Sequence, residues 1–307
     1  MNKRREFIKK SSLGLIGVSI LPEIAYGKKE PIKITILHTN DMHSHILPFT
    51  SGRNKGLGGM AQRAGLINAI RRRNKHVLLL DAGDIFQGTP YFNFYGGELE
   101  FKLMSKMKYD ASTIGNHDFD NGIEGLNKQL PNAKFPFIIS NYDFSNTILK
   151  DKFKPYKVFN KGKIKIGIFG IGIKLEGLVP KKLYGETIYQ DPIKQGNYYA
   201  SLLKEKEKCD LIICLSHLGF KYKSNKISDI RFASQTRNID LIIGGHTHTF
   251  LKEPINLLNL DNKEVLINQV GWGGINLGKI DFHFSQNKVI NKVFGKSIFV
   301  KRDINNA

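Results

Sequence analysis

Five times along this chain an apolar run stops on histidine, aspartate or asparagine. ITIL is followed by HTNDMHSH, which carries Asp41 and His43. HVLLLDAGD delivers Asp81 and Asp84, and DAST leads into IGNHDFDNG, with Asn116, His117, Asp118 and Asp120 on a glycine-bounded turn. LIICLSH delivers His217, and LIIGGHTH delivers His246 and His248. Short, continuous aliphatic runs of this kind read as strands buried on both faces. In open α/β sheets the carboxyl ends of strands line the ligand crevice, so the five loops should converge. Glycines at positions 83, 115, 244 and 245 would let the backbone come close to a small site. A lone His after a strand is ordinarily a loop residue, and a lone Asp or Asn there is ordinarily turn chemistry. Five in succession point to a site.

The rest of the chain supports an α/β reading. Strands are expected at 33–37, 76–81, 110–113, 135–140, 164–171, 210–216 and 240–245. Between them, residues 58–74 place Met60, Ala64, Ile67 and Ile70 on one helical stripe, and 192–208 form a second long helix with Pro192 in its first turn. Beyond about Lys252 the pattern changes to strands separated by Asn/Gly turns, at 264–270, 273–284 and 289–300. With no repeat, linker or low-complexity tract, the body from residue 28 to 307 reads as one mixed α/β domain.

The N-terminus reads differently. Residues 1–27 run from a basic cluster (Lys3, Arg4, Arg5, Lys9, Lys10) through an apolar stretch, Leu13 to Leu21, to the small residues Ala25 and Gly27. That order is the one expected of an export signal. The Arg4-Arg5 pair followed by Glu6, Phe7 and Ile8 resembles a twin-arginine signal, favoured over a Sec signal with an accidental pair. A periplasmic or otherwise exported protein follows, with no stable membrane insertion once the signal is removed. Cys209 and Cys214, at roughly 16 Å if both lie on one strand, are too far apart for a disulfide and should be buried free thiols.

A formal charge of +20 raises nucleic acid as a partner. No binding module accompanies it, and Arg71-Arg72-Arg73 reads as the solvated end of a helix, where cations are favoured. No nucleic acid partner is expected, and the charge would instead steer a small anionic substrate. The loop residues suit such chemistry. Carboxylates, an Asn carbonyl and imidazoles form a mixed O/N set for first-row divalent ions, and without cysteine ligands a zinc ribbon or iron–sulfur site is excluded. There are too many such groups for one ion. Two ions sharing a carboxylate could hold a hydroxide between them and clamp a phosphoryl group.

The blocks LHTNDMHSH, GLGGMAQRAGLI, LLLDAGDIFQGTP, STIGNHDFDNG, LIICLSHLG, DLIIGGHTHT and NQVGWGG, in this order from about residue 34 to 280, resemble the calcineurin-like metallophosphoesterases, and within them the 5′-nucleotidase/UDP-sugar hydrolase branch. The resemblance implies a mixed β-sheet sandwich flanked by helices, in four αββα layers. It implies two divalent metal ions (Zn, Mn, Mg or Co), with Asp41, His43 and His248 on one, Asn116, His217 and His246 on the other, and Asp84 bridging. His117 would be a catalytic histidine that does not bind metal, oriented by Asp120, which also fits the N-cap of a helix over GIEGLNKQL. Asp81 and Asp118 read as turn or supporting residues, and His38, His45, His76 and His283 receive no role. The expected activity is hydrolysis of phosphate esters, first of all nucleotides. Members of this branch add a C-terminal domain whose aromatic pair sandwiches the base, and the sequence to Ala307 does not supply it. Either a separately encoded C-terminal domain is a partner, or the substrate is another small ester such as a UDP-sugar, cyclic nucleotide or sugar phosphate. A thiosulfohydrolase-like relative and a non-catalytic metal-loaded scaffold are the remaining alternatives.

Overall fold

The structure, a computed structural model, describes residues 31–302. The export signal expected over 1–27 lies outside the described residues.

Strands β1 (Ile32–Thr39), β2 (Val77–Asp81) and the short β3 (Ala111–Ser112) run parallel, with Leu37 opposite Leu79 and Leu80 opposite Ala111. Next come β4 (Tyr142–Asp143), then β5 (Tyr156–Lys161) and β6 (Ile164–Ile171), an antiparallel hairpin, and β7 (Ile188–Tyr189), which pairs with β4. β8 (Leu211–Ser216), β9 (Leu241–Ile243), β10 (Ile255–Leu258) and β11 (Glu264–Asn268) follow, and β12 (Asn276–Phe284) and β13 (Ile290–Phe299) come last. They form two large sheets, ordered β13-β12-β1-β2-β3 and β10-β11-β9-β8-β6-β5, besides the small β4-β7 pair. The second sheet has parallel strands at its heart and antiparallel ones at both margins, and the first is parallel from β1 through β2 to β3 and antiparallel at β12 and β13, so the mixed sheet is as expected.

Successive strand residues face opposite sides, and that alternation builds the layers. From β1 and β2, Ile34, Ile36, Leu78 and Leu80 meet Ile166, Ile168, Ile213 and Leu215 of the other sheet in one buried cluster. On the reverse of the first sheet, Leu37 and Leu79 pack with Met60, Ile67 and Ile70 of helix α1 (Met60–Arg73). The same layer receives Phe92 of α2 (Pro90–Tyr95), Phe101 and Met104 of α3 (Glu98–Lys106) and Ile123 and Leu126 of α4 (Gly122–Gln129). A short α5 (Lys181–Tyr184) packs against α4. On the reverse of the second sheet, Ile212, Cys214 and Ile242 pack with Ala200 of α6 (Pro192–Ser201), the adjoining Leu203, and Phe232 of α7 (Asp229–Ser234). Helix, sheet, sheet, helix: the four-layer arrangement is present. Both cysteines are buried and free, and no helix among the described residues is long and apolar enough to cross a membrane.

Three expectations need correction. The run 135–140 is no strand of either sheet; its bridges go singly to Ser112 and Lys154, and Ser140 N–H then donates to Gly170 O beside β6. It leads from β3 of the first sheet to Gly170 within β6 of the second, so its apolar residues are buried without a continuous ladder. The helix over 192–208 leaves α geometry at Leu202, where a π turn runs to Lys206. Asn121, not Asp120, precedes helix α4 as its cap residue. Four strands escaped the sequence reading: β4 and β7, a pair of two residues each and too short to leave a pattern, and β5 and β10. β5 and β10 are the edges of the second sheet, and edges carry polar and charged residues that blur an apolar signal. Arg71, Arg72 and Arg73 close helix α1 as expected, but Arg71 is not left to solvent: it donates to the carbonyls of Met107 and Lys108 and ties the helix end down.

Candidate metal centre

All parallel strands of the central core point their carboxyl ends to one rim, and the five loops meet there. Asp41 and His43 follow β1, Asp84 follows β2, Asn116 and His117 follow β3, His217 follows β8, and His246 and His248 follow β9. The side chains gather in two groups, Asp41, His43 and His248 in one and Asp84, His217 and His246 in the other, each with its ligand-type atoms within 4.8 Å of one another. Asn116 joins the second group, its Oδ1 lying 2.8 Å from His246 Nδ1. Asp84 reaches both, with Oδ2 3.0 Å from His217 Nε2 and 3.9 Å from His43 Nε2.

The backbone is bent to make this possible. Asp41, His43, Asp84, His246 and His248 all have positive φ, between 45° and 74°, a region that side-chain-bearing residues enter at a cost of about 1 kcal/mol or more each. Each of these turns aims its side chain at the same rim. Gly115 shows why glycine is needed: a Cβ there would lie 2.1 Å from Asp84 Oδ1. At Gly245 a Cβ would meet His217 Nδ1 at 2.8 Å.

The donor atoms fit divalent ions. His217 is fully buried, and its Nδ1–H donates to Ala82 O at 2.7 Å, which fixes the ring with Nε2 facing Asp84 Oδ2 at 3.0 Å. That Nε2 makes no aligned hydrogen bond. His43 Nε2 and His248 Nε2 face each other at 3.0 Å. Ligand-type nitrogen and oxygen atoms thus approach in three places, each close enough to share either a proton or a cation. Around them the carboxylates are oriented by the backbone. His246 N–H donates to both oxygens of Asp41 at 2.9 Å, Asn40 Nδ2 donates to Asp41 Oδ2, and His117 N–H donates to Asp84 Oδ1.

Electrostatics follow the geometry. Burial opposes a charged His217, but Asp84 and Asp41 outweigh it and lift its pKa to about 10. Burial also opposes ionisation of Asp84, yet His217, His43 and His117 hold its carboxyl below the usual range. Burial and then His217 push His246 down to about 4, and burial lowers His43. The site therefore attracts positive charge, and metal binding would displace the His217 proton.

His117 stands beside this centre, its ring 5.2 Å from that of His43 and partly exposed. Its Nδ1 lies 2.9 Å from Asp120 Oδ2. That hydrogen bond raises the His117 pKa, against burial and with help from Asp84. Asp118 and Asp81 support the loops, as expected: Asp118 accepts backbone N–H groups from Asp84, Ile85, Phe86 and Gly115, and Asp81 accepts from Thr39, Ser112 and Gly83.

Sequence reasoning passed over four residues here. Asn40 and Gln269 stitch the loops together, Gln269 Nε2 donating to Gly245 O. Arg63 is fully buried with Nε and Nη2 unpartnered. Trp272 stacks on His248. Each lies inside or beside a quoted block, but an amide, a helix arginine or a lone tryptophan carries no spacing that announces its role.

An αββα sandwich whose strand ends gather this donor set is the architecture of a metal-dependent phosphoesterase. Residues 34–250 match the Calcineurin-like phosphoesterase family, and the chain belongs to it. It is 34% identical over 294 residues to snake venom 5′-nucleotidase of Crotalus adamanteus, covering 89% of this chain and 49% of that protein. To 5′-nucleotidase of Vibrio cholerae it is 32% identical, covering 91% and 54%. Among solved structures, the 5′-nucleotidase precursor from Thermus thermophilus superimposes with a TM-score of 0.77 at 30% identity, over 88% of this chain and 55% of that one. The chain thus spans about half the length of these relatives.

Proposed function

We propose that this chain is the catalytic part of an exported, metal-dependent phosphoric ester hydrolase acting on nucleotides, as its 5′-nucleotidase relatives are named for doing. The observation that carries the reading is the convergence of seven metal-type side chains from five strand ends onto two adjoining groups. Asp41, His43 and His248 would hold one divalent ion and Asn116, His217 and His246 the other, with Asp84 shared. Two ions held there supply Lewis acidity toward phosphoryl oxygens and a water activated at neutral pH.

The chain's own groups do the rest. Asp120 engages His117 Nδ1, leaving Nε2–H of the protonated ring to donate to the charge that grows on phosphoryl or leaving oxygens. The His117 backbone N–H, bonded to Asp84, keeps acid and carboxylate in fixed relation. The net positive chain steers anionic esters inward. Residues 1–27 direct export.

Purified, metal-loaded protein assayed against AMP, UDP-glucose and bis-p-nitrophenyl phosphate tests the activity. AMP hydrolysis with release of inorganic phosphate is expected; failure to turn over any of the three would refute it. N-terminal sequencing of protein from the envelope fraction tests export, and an intact Met1 on cytoplasmic protein would contradict it.

A further inference from the structure

The chain has a single tryptophan, and it lies at the metal centre. Trp272 sits on the turn after β11, and three hydrogen bonds fasten that turn to the Asp41 loop. Asn40 Nδ2 donates to Gly271 O at 2.6 Å, Val270 N–H to Asn40 Oδ1 at 2.9 Å, and Gly273 N–H to Asp41 O at 2.7 Å. From this anchored turn the indole lies against the His248 imidazole, with ring centroids 5.8 Å apart and planes 16° from parallel. His45 and Phe49, stacked on each other at 4.4 Å, meet the indole edge-on at 5.2 and 5.5 Å and brace it from another side.

His248 has need of such a support. Its side chain is 40% exposed, against 7% for His43 and none for His217, and its backbone is left-handed at φ 52°. Among the described residues its polar partners are His43 and Asp41, the residues with which it would share an ion. His217 is oriented by a backbone carbonyl, whereas His248 rests on the indole face.

We infer that Trp272 is a positioning residue: it holds the His248 imidazole against the Asp41–His43 pair and so sets the affinity of the ion bound there. This rests on the two-ion reading above. Trp272→Ala should weaken that ion by roughly 10- to 100-fold, the scale for residues that orient a ligand from behind, and leave the other ion in place. Trp272→Phe, which keeps a ring, should restore most of the affinity. Elemental analysis after dialysis at defined free metal reads both, with no recourse to activity. Tryptophan emission adds a second signal, since the one indole should report metal loading in the wild-type chain and cease to do so in His248→Ala.

A wild-type chain that binds fewer than two ions would overturn the two-ion reading itself. Two ions in the wild type, with equal affinities in Trp272→Ala, would overturn the positioning role alone. If Trp272→Ala does not fold, wild-type emission decides: a change on loading the second ion supports the role, and none overturns it.

Discussion

The two halves of the centre are built to different standards. Asp84 and His217 are 1% and 0% exposed, and their orientation comes from the backbone itself, through His117 N–H and Ala82 O. His248 in the other half stands at the rim, supported by a side chain on a turn. A buried ligand fixed by strand ends cannot move without disturbing the sandwich. A rim ligand fixed by an aromatic contact can. The comparison therefore predicts a tight inner ion and a more exchangeable outer one.

Asp84 belongs to both halves, so its loss should erase the difference. Asp84→Ala is expected to release both ions and take activity to background, measured by metal content beside turnover; retention of one tightly held ion would show that the halves are independent. His117 belongs to neither. His117→Ala should keep both ions yet lose on the order of 10²–10⁴ in turnover, the range for a positioned acid. Loss of metal in that variant would make it a ligand instead.

Single-ligand changes sharpen the contrast further. His217→Ala should cost the inner ion and measurable stability together, because it empties a fully buried position. His248→Ala should cost only the outer ion, with the melting temperature nearly unchanged. Equal effects from the two would erase the distinction between them.

The smallest expected effect lies just below the rim. His38 of β1 is fully buried and lies 3.0 Å from Asn268 Nδ2 of β11, so it spans the two sheets beneath the Trp272 turn. Burial lowers its pKa to about 3, below the value near 6.5 of an unfolded histidine. The unfolded chain therefore takes up a proton first as pH falls. Stability is complete above about 6.5 and declines toward 3, by about 2–3 kcal/mol at pH 4.5 from this residue. Urea unfolding at pH 7 and 4.5 should show a smaller acid loss in His38→Gln than in the wild type; an equal loss would show that His38 is not the source.

What could be read in the sequence divides along similar lines. Buried strands ending on ligand-type residues were legible because period and chemistry change at the same point, as at Leu80 to Asp84 and Ile243 to His246. Gly115 and Gly245 were legible as close approaches. The edges β5 and β10 were not, since YKVFNK and INLL face solvent on one side and mix polar with apolar residues. Residues 135–140 misled in the opposite sense, being apolar because they cross between sheets rather than extend one. Trp272 and His45 were invisible for a plainer reason. Their contact exists only once the turn after β11 folds back onto the loop after β1, and no local pattern encodes that meeting.

Anomalous diffraction from crystals of the metal-loaded chain, collected at the absorption edge of the bound metal, tests the central claim most directly. Two peaks are predicted at the strand-end rim, one among Asp41, His43 and His248 and one among Asn116, His217 and His246, with Asp84 touching both. A single peak, or peaks away from these side chains, would contradict it.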